Sequence, residues 1–519
     1  MRGAIAAGHP LTAEAGARIL AEGGNAVDAC VAASLASWVA ESPLNGPGAG
    51  GFMLVHRARD RTERLFDFFV AAPGLGSARR PGGEMHAIDI DFDRESTQVF
   101  RIGAVSCAVP GSVAGLEAAH RSYGSVPWPR LFEPALELAR NGVELTRAQA
   151  YLHAILDSIL RHTDEGRRLY GRRSRLVAGD RLVLDDLGTT MEELAARGAD
   201  AIYAGSLGRQ IVRYIRAEGG AITRADLAAY RVVRRRPVRA RFRGHDFVSN
   251  PPPSSGGVLI GYGLLVLDRL GPNGSPGSAE AIARLAEVMR EQGRAREGSF
   301  ASLLHRGGLA RRLYSDAQLR RALARVRAGL AGVPERGERG TTHISVVDAD
   351  GNAASMTAST GSGSGVIVPG TGIHMNNMLG EFDLNPAGAE ARPGSRLTSM
   401  MAPSMVVRRG RTRLVVGSAG SVRLRGAILQ AVVNVVDHGL DVEEAITAPR
   451  VHVDEPHVQC EGGADPAELD LLESRGYDVV RWRRRNLYFG GVSAVTVGAD
   501  GSLAAAGDPR RGGHGIVVG

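Results

Sequence analysis

The sequence predicts a mixed α/β fold arranged as one interlocked unit. Residues 26–42 form an apolar run directly after Asn25, a residue type that often begins helices, so we predict a buried helix there. Residues 342–347 and 353–357 are strand-like, and a turn sequence separates them, which predicts a hairpin. No linker or low-complexity tract divides the 519 residues, of which 44% are hydrophobic. The chain is therefore expected to bury one large core.

The charge balance does not favour nucleic-acid binding. The net charge is +8, and every basic residue other than histidine is an arginine, which indicates coding bias as well as function. The clusters 234–236 and 483–485 are separate, and Arg239, Arg241 and Arg243 alternate as one exposed face of a strand would. Aromatic residues make up only 5% of the chain, too few for a stacking surface. We interpret the arginines as a solvated face.

No sequence feature indicates a membrane span, a metal or a cofactor. Asp28 and Glu41 interrupt the apolar run, and no segment approaches the roughly 20 apolar residues of a membrane helix. The glycine-rich residues 46–51 follow a helix pattern, whereas a dinucleotide-binding loop follows a strand. The 14 histidines show no metal-ligand spacing, and we expect His343 to be packed or hydrogen-bonded. We therefore predict no metal and no cofactor.

The cysteines and the first residues bear on the cellular compartment. Cys30, Cys107 and Cys460 are odd in number and far apart, as expected for reduced packing cysteines. Residues 1–10 contain too short an apolar run for a signal peptide. We predict a cytoplasmic protein, or a periplasmic or secreted one if a leader has been removed.

The pair Gly340-Thr341 carries the strongest chemical signal in the chain. A threonine hydroxyl is a poor nucleophile at neutral pH because nothing in its own side chain removes its proton. If the bond between Gly340 and Thr341 is cut, Thr341 gains an α-amine with a pKa of roughly 7.7–8, which suits a general base. A flexible glycine before it would let the hydroxyl reach its own carbonyl during self-cleavage. The residues themselves allow two interpretations, a concealed N-terminal nucleophile or an ordinary strand start.

A family resemblance favours the first interpretation. Residues 340–348, followed by Asp350-Gly351-Asn352, resemble the start of the small subunit of γ-glutamyltranspeptidases, which are self-cleaving N-terminal-nucleophile (Ntn) hydrolases. Further short matches occur in the family's order at residues 19–29, 48–54, 109–115, 251–257, 375–378, 397–400, 417–421 and 508–513. Each match is short, but their order and spacing identify the chain as a member of the family.

The resemblance implies the fold and the subunit organisation. It implies a four-layer αββα sandwich of the Ntn-hydrolase type, with two stacked, mostly antiparallel sheets between helices. It also implies a precursor that cleaves into residues 1–340, the large subunit, and residues 341–519, the small subunit. The two parts would remain together as one structural unit, and further homodimerisation is left open.

Catalytic positions follow from the same resemblance. Thr341 matches the nucleophile, and Ser359 matches the hydroxyl that orients it, with Thr360 adjacent. The turn 417–421 matches the family's oxyanion turn, so the N–H groups of Gly420 and Ser421 are expected to stabilise the tetrahedral intermediate. A hairpin turn without a catalytic role is the alternative for this segment.

The substrate-binding positions match the family less closely. Thr398 and Ser399 match the two hydroxyls that bind the donor carboxylate. The arginine that shares this task in the family is replaced here by Ala78, and Arg79 and Arg80 are the nearest substitutes. An alternative is that both arginines are merely solvated.

The side that binds the substrate ammonium departs further from the family. Gly361 stands where the family has asparagine, Met378 where it has glutamine or glutamate, and Glu381 where it has aspartate. We expect a roomier and more apolar pocket in which Glu381 alone is left to bind an amine. The stretch from Phe382 to Leu397 is shorter than in relatives with a lid, so an open cleft is expected.

These matches imply a self-processing threonine amidohydrolase or acyltransferase. It would cleave a γ-glutamyl amide such as glutathione through an acyl-enzyme, with hydrolysis favoured over transfer because an open site excludes little water. An alternative donor is a different acid amide, of the oxamate or glutaryl type. An alternative of another class is an uncleaved, inactive relative that acts as a binding protein. The intact Thr341, Ser359 and residues 417–421 argue against that last alternative.

Overall fold

The computed structural model describes residues 2–77, 82–92, 96–330, 342–382, 391–420, 423–454 and 456–519. The predicted cleavage pair Gly340 and Thr341 lies outside the described residues, and so do Arg79, Arg80 and Ser421. The roles of these residues stay predictions.

The described strands are numbered in chain order. They are β1 Gly3–Ala7, β2 Gly50–Arg57, β3 Thr62–Phe68, β4 His86–Phe92, β5 Ser96–Ile102, β6 Val143–Glu144, β7 Arg181–Leu182, β8 Val233–Arg235, β9 Val238–Phe242, β10 His245–Ser249, β11 Thr342–Asp348, β12 Ala353–Ser359, β13 Ile367–Val368, β14 Ile373–His374, β15 Ser404–Arg408, β16 Arg411–Ala419, β17 Val451–Asp454, β18 His457–Cys460, β19 Val479–Arg481, β20 Gly491–Val497, β21 Leu503–Gly507 and β22 His514–Val518.

The described α-helices are numbered in the same way. They are α1 Pro10–Ala21, α2 Ala26–Ala40, α3 Ser112–Tyr123, α4 Glu133–Asn141, α5 Arg147–Ile155, α6 Asp157–Leu160, α7 Asp164–Tyr170, α8 Asp185–Arg197, α9 Asp200–Tyr203, α10 Ser206–Ala217, α11 Arg224–Ala229, α12 Gly256–Leu270, α13 Ala279–Arg294, α14 Phe300–Arg306, α15 Leu309–Leu313, α16 Asp316–Gly329, α17 Arg423–Val436, α18 Val442–Thr447 and α19 Pro466–Ser474.

Two large sheets lie face to face. One has the strand order β22-β1-β11-β12-β2-β3-β8, and the other has the order β21-β20-β16-β15-β10-β9. Neighbouring strands within both sheets are antiparallel. Apolar side chains from both sheets fill the space between them, including Phe52 and Leu54 from the first and Val248, Met405 and Val495 from the second.

Helices cover the outer face of each sheet. Helices α1 and α2 pack on the seven-stranded sheet, and α12 and α17 pack on the six-stranded sheet. The predicted helix after Asn25 is α2, which is buried along its whole length; Asn25 caps it by accepting from the N–H groups of Val27 and Asp28. The result is a four-layer αββα sandwich, which confirms the predicted fold class.

The structure confirms several local predictions and corrects one. Strands β11 and β12 form the predicted hairpin, and the three cysteines are buried and free. Arg239 and Arg241 are exposed on β9 as predicted, although Arg239 is also ion-paired with Glu63. Arg243 lies beyond the strand end in a turn with φ of 47°. Its Nε donates to Asp437 Oδ1 at 2.6 Å, so Arg243 is ion-paired rather than solvated. Within the described ranges, no helix is long and apolar enough to span a membrane.

Candidate active site

Three strand ends meet at one end of the sandwich. Strand β11 begins at Thr342, and β12 ends at Ser359, which pairs with Gly50 at the start of β2. On the facing sheet, β16 ends at Ala419, and a Cβ added at Gly417 would lie 2.2 Å from the imidazole of His343. The end of β16 therefore faces the start of β11. The predicted nucleophile at position 341 precedes this corner by one peptide bond.

His343 is a buried, hydrogen-bonded residue of the space between the sheets. Its Nδ1 lies 2.8 Å from Thr357 Oγ1, and its Nε2 lies 2.9 Å from Ser345 Oγ. Burial lowers the pKa of His343 to about 3, so the imidazole is neutral at physiological pH. The prediction of a packed or hydrogen-bonded histidine is confirmed.

Ser359 presents its hydroxyl at the end of β12. Its Oγ accepts the N–H of Gly361 at 2.8 Å, and the side chain is only 1% exposed. The neighbouring Thr360 points elsewhere, because its Oγ1 donates to the carbonyl of Pro43 at 3.3 Å. The sequence offers these two hydroxyls for orienting a nucleophile. That of Ser359 bonds to Gly361, a predicted substrate-binding position, and that of Thr360 bonds to Pro43 instead.

The predicted oxyanion turn leads from a strand into a helix. Gly420 follows β16 with φ of 134°, and its carbonyl accepts the N–H of Arg423, the first residue of α17. A Cβ at Gly420 would lie 2.8 Å from the Cα of Gly490, so only glycine fits there. The hairpin alternative is wrong, because α17 follows the turn. The N-terminus of α17 therefore lies next to the predicted oxyanion turn, and the N–H groups at a helix N-terminus favour bound negative charge.

Thr398 and Ser399 lie in a strip of chain, residues 396–399, that is hydrogen-bonded to two other segments. The carbonyl of Ser399 accepts the N–H of Ser255 at 2.8 Å, just before α12, and the N–H of Leu397 donates to the carbonyl of Val70. Thr398 Oγ1 lies 3.1 Å from Nε2 of His305 on α14, which sequence reasoning missed. Burial lowers the pKa of His305, which favours its neutral form beside this hydroxyl.

A buried aspartate anchors the same strip. Asp67 Oδ1 accepts from Nε of Arg396 at 3.1 Å, and Asp67 Oδ2 accepts from Nε of Arg235 at 2.7 Å. Asp67 is fully buried, so these charge-assisted bonds are shielded from water. The strip that carries Thr398 and Ser399 is thereby fixed to β3 and β8.

Gly361 lies directly against the predicted amine side. Its φ is 77°, and an added Cβ would lie 2.0 Å from Asn377 Oδ1 and 3.1 Å from Glu381 Oε1. The missing side chain therefore opens no extra space at this position, because Asn377 occupies it; the expectation of a roomier pocket is wrong at Gly361. The carboxylate of Glu381 is held within reach of the Gly361 backbone, close to the end of β12.

Met378 is buried in the apolar cluster between the sheets and is 3% exposed. Its backbone N–H donates to Asn376 Oδ1, and Asn376 also donates to the carbonyls of Gly48 and Ala108. The asparagines before Met378 therefore fix the backbone of this segment. The role predicted for Met378 in substrate binding stays a prediction.

Arg101 is a second residue that sequence reasoning missed. It lies in β5, and its guanidinium stacks 4.2 Å from the centre of the Phe382 ring, next to Glu381. Its carbonyl accepts from Asn377 Nδ2 at 3.3 Å, and a Cβ added at Gly380 would lie 3.0 Å from the Arg101 Cβ. No ion pair joins Arg101 to a carboxylate in the described part of the chain. A strand hairpin far away in sequence thus brings an arginine beside Glu381.

Comparison with known proteins identifies the family of this site. The profile of the family described as Gamma-glutamyltranspeptidase matches residues 12–518. The chain belongs to this family. It is 34% identical to the Acylase ACY 1 proenzyme of Pseudomonas sp. strain SE83 (100% of this chain, 94% of that protein) and 32% identical to the Glutathione hydrolase proenzyme of Escherichia coli K12 (98% and 90%). The crystal structure of cephalosporin acylase from Bacillus halodurans superposes with a TM-score of 0.86 at 26% identity, covering 99% of this chain and 95% of that chain.

The γ-glutamyltranspeptidase assignment makes the chain a hydrolase with an Ntn-type fold. It therefore confirms the predicted enzyme class and weakens the binding-protein alternative. Relatives of similar identity carry both acylase and glutathione hydrolase names, so membership of the family leaves the acyl donor open.

Proposed function

We propose that the chain cuts itself between Gly340 and Thr341 and then hydrolyses acid amides through an acyl-enzyme on Thr341. The α-amine of Thr341 takes the hydroxyl proton as Oγ attacks the amide carbonyl, and the departing amine receives that proton. Water then hydrolyses the ester, with the same amine as the base. The proenzyme names of the acylase and glutathione hydrolase relatives support the self-cleavage step.

Our proposal for the donor rests on the packing around Gly361. No side chain fits at Gly361, and Met378 is buried among apolar residues, so neither supplies a polar group to a substrate ammonium. Among the described residues there, Glu381 is the acidic group and Arg101 the basic one, so Glu381 is the one with the right charge for an ammonium. We propose that the preferred donor is an acid amide without the ammonium, of the glutaryl type. Similarity to proteins named acylases supports this choice.

A γ-glutamyl amide is the second candidate donor. The observation that favours it is the position of Glu381, whose carboxylate lies beside the backbone of Gly361 near Ser359. A single carboxylate is sufficient to pair with an ammonium if it is shielded from water. The two donors differ only in that ammonium, which makes a direct comparison decisive.

A matched pair of substrates tests the donor. We expect kcat/KM for a glutaryl anilide to equal or exceed that for the γ-glutamyl anilide. A site built to pair the amine would instead lose several kcal/mol with the glutaryl compound, since its buried acid would be uncompensated. A strong γ-glutamyl preference that Glu381→Ala abolishes would contradict our first choice and establish the second.

We further propose that Arg101 binds the distal carboxylate of the donor. Its guanidinium lies on the Phe382 ring beside Glu381, and it has no carboxylate partner within the described ranges. Arg101→Met should lower kcat/KM for the glutaryl anilide by roughly 10- to 100-fold, the scale of a lost charge-assisted hydrogen bond, and barely change that for an uncharged pentanoyl anilide. Equal losses for both substrates would refute the role. Arg241→Met, an exposed arginine on β9, is the matched control.

A further inference from the structure

Among the described residues, the start of β11 has a strand neighbour on one side only. Thr342 and His343 pair with β12, but the pairing with β1 ends at Ile344, opposite Ala7. Residues at a chain end fray unless something holds them. If the chain is cut before residue 341, Thr342 is the second residue from a new end. Some group other than a neighbouring strand must then hold Thr342 in place.

A buried carboxylate in the helix layer holds the side chain of Thr342. Alternation along β11 turns Thr342 away from the space between the sheets that His343 fills, and toward the helix layer. There Thr342 Oγ1 donates to Glu41 Oε2 at 2.8 Å. Glu41 follows the end of α2 and is 7% exposed. Its other oxygen, Oε1, accepts from Thr12 Oγ1 of α1, also at 2.8 Å.

The backbone of Gly8 packs closely against this contact. A Cβ at Gly8 would lie 2.5 Å from Glu41 Oε2 and 3.2 Å from Thr342 Oγ1, so a larger residue would push the pair apart. Burial raises the pKa of Glu41, and the two hydroxyl bonds and the charge of Arg511 act against that rise. Two hydroxyl donors thus satisfy a carboxyl group that would be costly to bury alone.

We infer that Glu41 is a positioning residue that holds Thr342, and with it the start of β11, so that the nucleophile at position 341 keeps its place after the chain is cut. The inference rests on the proposed role of Thr341. Glu41 belongs to the predicted large subunit and Thr342 to the small one, so the bond also ties the two parts together at the point of cleavage. A misplacement of about 1 Å at a reacting group can cost roughly 100-fold in rate.

Four variants test this inference. Thr342→Val removes the hydroxyl at constant shape, and Glu41→Ala removes the acceptor. Both should lower kcat per cleaved molecule by roughly 10- to 100-fold with KM changed less than about twofold. Glu41→Gln keeps an acceptor oxygen and should stay within about threefold of the parent. Thr12→Val is the matched control: it removes the other bond to the same carboxylate and should lower the melting temperature but not kcat.

Hydrogen exchange measured on the same proteins is independent of activity. Amides at the start of β11 should exchange faster in Thr342→Val than in the parent, and those in Thr12→Val should not. Normal kcat in Thr342→Val, equal losses in Thr12→Val and Thr342→Val, or unchanged exchange in Thr342→Val would each overturn the inference. If the parent protein hydrolyses no amide, the proposed function fails, and the exchange measurement still decides whether Glu41 holds the strand end.

Discussion

Thr341→Ala should run as one full-length band on a denaturing gel and should hydrolyse no amide. The parent protein should separate into a large fragment ending at Gly340 and a small fragment beginning at Thr341. The physical reason is that the same hydroxyl attacks the bond before it and, later, the substrate, while the α-amine that serves as base exists only after the cut. This is the largest effect that we expect from any single substitution.

The control for this variant is Thr341→Ser, which retains a hydroxyl and should still cleave. N-terminal sequencing of the small fragment identifies the cut directly. A small fragment that starts elsewhere, or an intact chain that hydrolyses amides at the parent rate, would refute the central claim. The alanine variant should still unfold cooperatively on heating, because the αββα core does not depend on this side chain.

The sequence predicted those features that short local patterns encode. The helix after Asn25 has its cap and its apolar composition within a few residues, and the hairpin of β11 and β12 has strand residues on both sides of a turn. The positions of Ser359 and of the turn at residues 417–421 came from the family resemblance, and their catalytic roles stay predictions. Such features can be predicted from sequence because they do not depend on what packs against them.

The remaining parts of the site depend on contacts between distant segments. Three residues reach the site from segments far from their partners in sequence. They are Glu41 just after α2, Arg101 in β5 and His305 in α14. In sequence, a lone acidic residue at a helix end or a lone histidine on a helix gives no signal. Gly361 shows the same limit, because only the structure reveals that Asn377 fills the space beside it.

Ser359→Ala should slow acyl-enzyme formation by roughly 10- to 1000-fold, or about 1.4–4 kcal/mol in the activation free energy. Ser359 stands at the end of β12, next to Ala358, which pairs with Thr342 at the start of β11. Its hydroxyl therefore lies near the point where the predicted nucleophile precedes β11. Burst kinetics with a chromogenic anilide separate this step from hydrolysis of the ester. Folding should be little affected, since the substitution deletes one oxygen.

Thr360→Val is the matched control for Ser359→Ala. Both variants delete one hydroxyl from adjacent buried positions, but Thr360 Oγ1 donates to the carbonyl of Pro43, so its loss should lower stability more than the rate of acylation. Ser359→Thr keeps the hydroxyl and should retain most of the parent rate. If Ser359→Ala acylates normally while Thr360→Val does not, the orienting hydroxyl belongs to Thr360, and the backbone at the end of β12 must turn differently in the cleaved enzyme.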